Sequence, residues 1–180
     1  GHSTRTVFRS WGRALTGGRF ATVPDAGAAT PIYRTLSRWS AAYALTADLL
    51  FLTLGGNLKR MEMITGRMGD VLSEMYILSA ALKRWEDEGR QASDLPVLEY
   101  AAADAFHNIQ STLDEVVTNL PVKWASWTLR LFAMPGTTQR KPGDRIVAAC
   151  SDLLYAPSAA RDRLVGRLAK GCNRDGVEVV

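Results

Sequence analysis

Apolar positions recur at steps of three and four along almost the whole chain, and alternation of period two is absent over any useful length. That pattern predicts an all-α fold. The clearest stripe is Leu58, Met61, Ile64, Met68, Val71, Leu72, Met75, Leu78, Leu82 and Trp85, which marks a helix from residue 57 to about 88, more than roughly 40 Å long, as the spine of the domain. Within it MYILSAAL leaves almost no polar face, so this half is expected to be covered by other elements. Before the spine, Thr30-Pro31 is a helix start, and residues from about 31 to 54 form a helix whose second half is apolar on all sides. After it, Gly89 supplies a stop. A third long helix, from about 94 to 119, carries Leu98, Ala102, Ala105, Phe106, Ile109, Leu113, Val116 and Val117 on one stripe. Short connections between such helices favour an up-and-down helical bundle.

Shorter helices flank these three. Residues from about 4 to 16 place Val7, Phe8, Trp11 and Leu15 opposite Arg5, Arg9 and Arg13, and GGRFATVPDAGAATP reads as a linker. Helices over about 121–135, 144–154 and 157–169 follow, with TTQRKPGD as a basic loop between the first two. The resulting organisation is a leading segment over 1–30, a bundle domain over 31–170 and a frayed tail over 171–180. The opening Gly1-His2-Ser3 has the look of residue left by tag cleavage, which marks the chain as a piece of something longer.

The sequence LGGNLKR, residues 54 to 60, raises the question of a phosphate-gripping loop. Such a loop follows a strand and opens its amides toward the ligand. Here a helix precedes the glycines, so Gly55 and Gly56 read as a helix stop, Asn57 as the cap of the next helix and the motif as a hinge. Lys59 and Arg60 fall where the helix dipole gives them no help, so a carboxylate such as Asp48, or an outside anion, is expected to hold them. Asp48 interrupts AAYALTADLLFLTLGG and calls for a basic neighbour or a solvated end of the bundle. That apolar segment falls short of the ~20 residues that span a bilayer, so no transmembrane helix is expected.

Composition adds little to this picture. With 180 residues, 47% of them hydrophobic and 22% charged, the chain fits one domain with a real core. The net charge of +4 is concentrated at the ends; before Ile32, Arg5, Arg9, Arg13 and Arg19 face Asp25 alone. An excess of this size serves solubility or an anionic partner. Cys150 and Cys172, without a secretory leader ahead of them, read as free thiols in a reducing compartment.

Candidate chemistry is sparse. His107 lies beside the stripe of the third long helix without companions at metal-ligand spacing, so it reads as structural, and no metal site is expected. No nucleophile elbow, Cys-His pairing or Walker loop occurs, and no catalytic residue is assigned. Arg67, Asp70 and Glu74 share one face of the spine and are expected to form an ion-pair cluster fixing it against another helix. Without a basic recognition helix or an aromatic strand platform, nucleic acid is not an expected partner. Two stretches fit a membrane surface instead. Residues 4 to 16 combine Arg9 and Arg13 with Trp11, although packing on the bundle is favoured there; residues 121 to 134 place Lys123, Ser126 and Arg130 on a polar strip with Trp124, Trp127, Leu131, Phe132 and Met134 around it. Periodicity leaves interfacial contact and core packing both open for the second stretch.

The run YRTLSRWSAAYALTADLLFLTLGGNLKRMEMITGRMGDVLSEMYILSAALKRWEDEGRQASDLPVLEY and the later SAARDRL closely resemble the C-terminal helical region of FadE-type bacterial acyl-CoA dehydrogenases. LGGNLKR, GRMGDVLSEMYILSA and LKRWEDEGR are its most specific parts, and the likeness covers most of residues 5 to 168. The tail after Leu168 does not resemble the family's final segment. The resemblance implies a parent flavoprotein that uses FAD and a glutamate base to oxidise a fatty acyl-CoA to the trans-2-enoyl thioester, the first step of β-oxidation. Those parts lie in an upstream core, so no catalytic or cofactor-binding residue is carried onto this chain. In placement the region is similar to the C-terminal extension of very-long-chain acyl-CoA dehydrogenases. It is therefore expected to be a non-catalytic accessory domain that supports dimerisation, or attachment to an anionic membrane surface at the inner face of the bacterial cytoplasmic membrane. Its implied partners are its own upstream domains and a second copy. A lid shaping acyl-chain access, and a stand-alone helical interaction module, are the competing expectations.

Overall fold

Proline in the first helical turn loses no hydrogen bond there, and the first helix uses this: α1 runs Thr30–Leu54 with Pro31 next to its start. A single 3-10 turn, Gly27–Ala29, leads into it, and the Ala26 amide donates to the Thr30 hydroxyl at 3.1 Å. The computed structural model describes residues 26–133 and 138–165. Five further helices follow: α2 Glu62–Asp87, α3 Leu95–Thr118, α4 Lys123–Phe132, α5 Asp144–Tyr155 and α6 Ala159–Val165. The described residues contain no strand, and the architecture is the all-α bundle with three long helices that the sequence predicts. The basic amphipathic helix expected over 4–16 and the tail over 171–180 lie outside the described residues.

α1 stops at Gly55, whose φ of 48° lies in the left-handed region that glycine adopts without a Cβ clash. The next helix does not begin at once. Residues Gly55–Arg60 form a 3-10 helix, and Met61, not Asn57, precedes the first α-helical residue of α2. Half-buried Leu58 packs against the core within this extra turn, which anchors the connection before α2 begins. At the far end of α2 the backbone closes as a Schellman motif: the Gly89 amide donates to Glu86 at 3.0 Å and the Arg90 amide to Trp85 at 2.9 Å. Gly89 takes φ 83° there, as its position past the helix end requires, and the Trp85 indole donates to the Gln91 carbonyl at 3.0 Å to pin the turn.

α2 and α3 make the most extensive helix contact. Arg67 bonds Glu115 and Asn108 bonds Glu74, so seven residues forward on α2 match seven back on α3 and the pair is antiparallel. Their facing stripes, among them Val71, Leu78, Leu82, Ile109, Leu113 and Val116, are almost fully removed from water. α1 packs on both, α4 on α1 and α3, α5 on α3, and α6 on α5. Thr46, wholly buried on α1, turns its hydroxyl back to the Ala42 carbonyl at 2.8 Å and so leaves no orphan donor. By length and composition Gly27–Arg60 could cross a bilayer, a longer stretch than the apolar segment read from the sequence. Ile32, Trp39, Leu45, Leu49, Leu50 and Leu54 are buried in the bundle, so one side of α1 is core, while only 33% of its apolar window is buried.

Two expectations of coverage fail. Tyr76 and Ile77, in the MYILSAAL half of α2, are exposed, as are Phe51 and Leu52 in the apolar end of α1. Leu72, read as part of the stripe, is exposed as well. The reason is geometric: α1 and α3 cover only one side of α2, while α5 packs on α3 and α6 meets α2 at Arg84. Truncating the fully buried Leu113 to Ala should cost about 2–5 kcal/mol, whereas Tyr76→Ala, 75% exposed, should stay within about 0.5 kcal/mol. Urea unfolding of the two variants measures that contrast.

Candidate interaction surface

α4 follows Pro121 and an extended Val122, whose backbone carbonyl then accepts from the Ser126 amide at 3.2 Å. Its inner stripe is Ala125, Leu129 and Ala133, all buried, and the two alanines let the helix lie close against α1 and α3. The helical period then forces positions 124, 127 and 131 outward. Trp124 is 56% and Trp127 67% exposed, with Leu131 beside them. Ser126 does not belong to the outer polar strip expected of it: it is half-buried and turned toward the Val122 carbonyl. Lys123 and Arg130 remain outside with the tryptophans. Arg130 reaches back to the end of α3, 3.3 Å from Asp114 and 2.9 Å from the Thr118 hydroxyl, which fixes the roll of α4. Lys123 makes no ion pair among the described residues. One face of α4 is core, and the tryptophan face is exposed. Phe132 is the last residue of α4, and Arg9, Trp11 and Arg13 lie outside the described residues.

The expected ion-pair residues are distributed differently from the sequence reading. Arg67 bonds Glu115 at 2.8 Å and Glu74 accepts from Asn108 at 3.1 Å, so both fasten α2 to α3; Asp70 stands exposed and does not join them. Across-seam partners win because Arg67 leans toward α3 and keeps only 22% of its side chain in water. Asp48, Lys59 and Arg60 are exposed and make no ion pair with one another. Asp48 is therefore solvated.

The strongest charge pair was not foreseen. Asp94, at the start of α3 and almost fully buried, receives two bonds from the Arg163 guanidinium of α6, at 2.6 and 3.1 Å. Hydrogen bonding to Asp94 pushes the Arg163 guanidinium above its ordinary value, with burial opposing. Ser93 accepts from the same guanidinium at 3.0 Å, and Arg84 donates to the Arg163 carbonyl. The partners are 69 positions apart in sequence, beyond the reach of helical periodicity.

His107 donates from Nδ1 to the Gln139 carbonyl at 3.0 Å, and Gln110 accepts from the Gln139 amide, so both hold the loop before α5. Among the described residues no group of His, Cys, Asp or Glu has the geometry of a metal site. Burial, aided by Glu99, pushes the Cys150 thiol up, and its Sγ lies 3.1 Å from the Pro96 carbonyl. In a Cys172→Ser chain, Cys150 should therefore react with a disulfide reagent roughly tenfold or more slowly when folded than in denaturant.

At LGGNLKR, Gly55–Arg60 continues from a helix as a 3-10 turn with no strand before it, which is not the strand-led geometry of a phosphate-gripping loop. No solved structure matches this chain. A family model described as acyl-CoA dehydrogenase, C-terminal, bacterial type, matches residues 1–177, which takes in the opening residues set aside as tag and most of the tail. With nearly its whole length matched, the chain belongs to the bacterial-type acyl-CoA dehydrogenase C-terminal family.

Proposed function

We propose that this region is the non-catalytic accessory part of a FAD-dependent fatty acyl-CoA dehydrogenase, and that α4 attaches it to an anionic membrane surface. The observation that carries the reading is the two-sided burial of α4: Ala125 and Leu129 inward, Trp124, Trp127 and Leu131 outward with Lys123 beside them. Indole rings prefer the headgroup level, where an apolar body and a polar N–H are both satisfied, and lysine reaches lipid phosphate from there. Flavin and the catalytic base are assigned to the upstream part of the parent enzyme. In flotation with phosphatidylglycerol-containing vesicles at low salt, the chain should bind, and Trp124→Ala/Trp127→Ala should lose most of that binding. Wild-type chain left unbound would overturn the attachment.

A second reading is favoured by the outer face of α2, where Tyr76 and Ile77 stand free. One turn apart along the same side lie Gly66, Gly69 and Ser73, so another helix could approach closely. This face suits protein contact, with a second copy or with the upstream domains. In sedimentation equilibrium the chain should show a concentration-dependent dimer that Tyr76→Arg/Ile77→Glu disrupts; a monomer at the highest concentration would exclude the self-contact.

A further inference from the structure

The connection between α1 and α2 and that between α3 and α4 lie at one end of the bundle. The Arg67–Glu115 bond ties the start of α2 to the end of α3, and Arg130 ties α4 to Asp114 and Thr118 of that same end. The 3-10 turn Gly55–Arg60 packs on both α1 and α2, so it belongs there too. This end therefore gathers a second set of outward apolar side chains besides the tryptophans. Phe51 is 67% and Leu52 69% exposed in the last turn of α1, and Met63 is exposed in the first turn of α2. Between them in sequence stand Lys59 and Arg60, exposed and without an ion pair among the described residues.

We infer that the α1–α2 turn is a second membrane-contacting element, which meets anionic lipid together with α4, so that the bundle engages the bilayer by this end. The inference rests on the attachment proposed for α4. Charge complementarity selects the occupant. Asp114 and Glu115 are matched internally by Arg130 and Arg67, which leaves Lys59, Arg60 and Lys123 facing outward. The unpaired acids nearby are Glu62, where the α2 amide dipoles favour it, Asp48, a full turn back from Leu52, and Asp70, two turns further along α2 from Glu62. At both elements apolar side chains stand next to cations. A lipid surface accommodates both, taking Phe51 and Leu52 into the acyl boundary while headgroup phosphates receive the two basic side chains.

The test is cosedimentation of the full chain with phosphatidylcholine vesicles, with and without phosphatidylglycerol, across a salt series. Two independent variants address the turn: Lys59→Glu/Arg60→Glu for charge and Phe51→Ser/Leu52→Ser for insertion. All four side chains are exposed, so thermal unfolding should match wild type. Each pair should lower affinity for the anionic vesicles roughly tenfold or more, and the charge pair should flatten the salt dependence. Should both pairs bind like wild type while Trp124→Ala/Trp127→Ala is lost, the turn is not a contact and the α4 attachment stands. Absence of wild-type binding would overturn both.

Discussion

The antiparallel seam between α2 and α3 is the contact on which the rest of the structure depends. Its apolar stripes remove Val71, Leu78, Leu82, Ile109, Leu113 and Val116 from water, and Arg67–Glu115 and Glu74–Asn108 set the register along one side. Burial supplies the free energy, whereas half-exposed polar pairs of this kind add little and mainly select one alignment. Once that alignment is set, the end of α3 delivers Pro121 and α4 to the same place as the 3-10 turn that precedes α2. This one register positions the outward residues at that end.

Much of the seam was legible because helical burial follows local spacing. All eight residues read onto the α3 stripe are buried, and so are Ile64, Met68, Val71, Met75, Leu78, Leu82 and Trp85 of α2. Leu72 failed because it adjoins Val71 and composition alone does not say which of two neighbouring apolar positions faces in. The same limit applies to Phe51, Leu52, Tyr76 and Ile77. An all-apolar turn announces burial only if another element reaches it, and in this fold α5 stacks on α3 while α6 meets α2 at Arg84.

Charge partners were less legible than stripes. Arg67 and Glu74 were identified as fastening residues, but their partners on α3 follow from the register and not from steps of three and four. Asp94–Arg163 joins the opening of α3 to the last described helix, and no local pattern marks either residue. The outward character of α4 was half legible: its tryptophans were named, while the decision between core and surface required Ala125 and Leu129 to be seen packed on α1 and α3.

The two ends of the bundle thus differ in how their charges are settled. At the α2–α3 turn, Arg84–Glu88, Arg90–Glu86 and Lys83–Asp87 close on one another along the helix, and the buried Asp94 is held by Arg163. A carboxylate that deep is tolerable only with its partner in place, so that end is committed to internal structure. At the opposite end the acids of α3 are already matched by Arg67 and Arg130, and Lys59, Arg60 and Lys123 are exposed at the same end as Phe51, Leu52, Trp124 and Trp127. Single exposed apolar residues are ordinary on any surface. Four large ones bordered by unpaired cations, brought to one end by a register that also closes the other, give the proposed lipid contact a physical basis that neither helix offers alone.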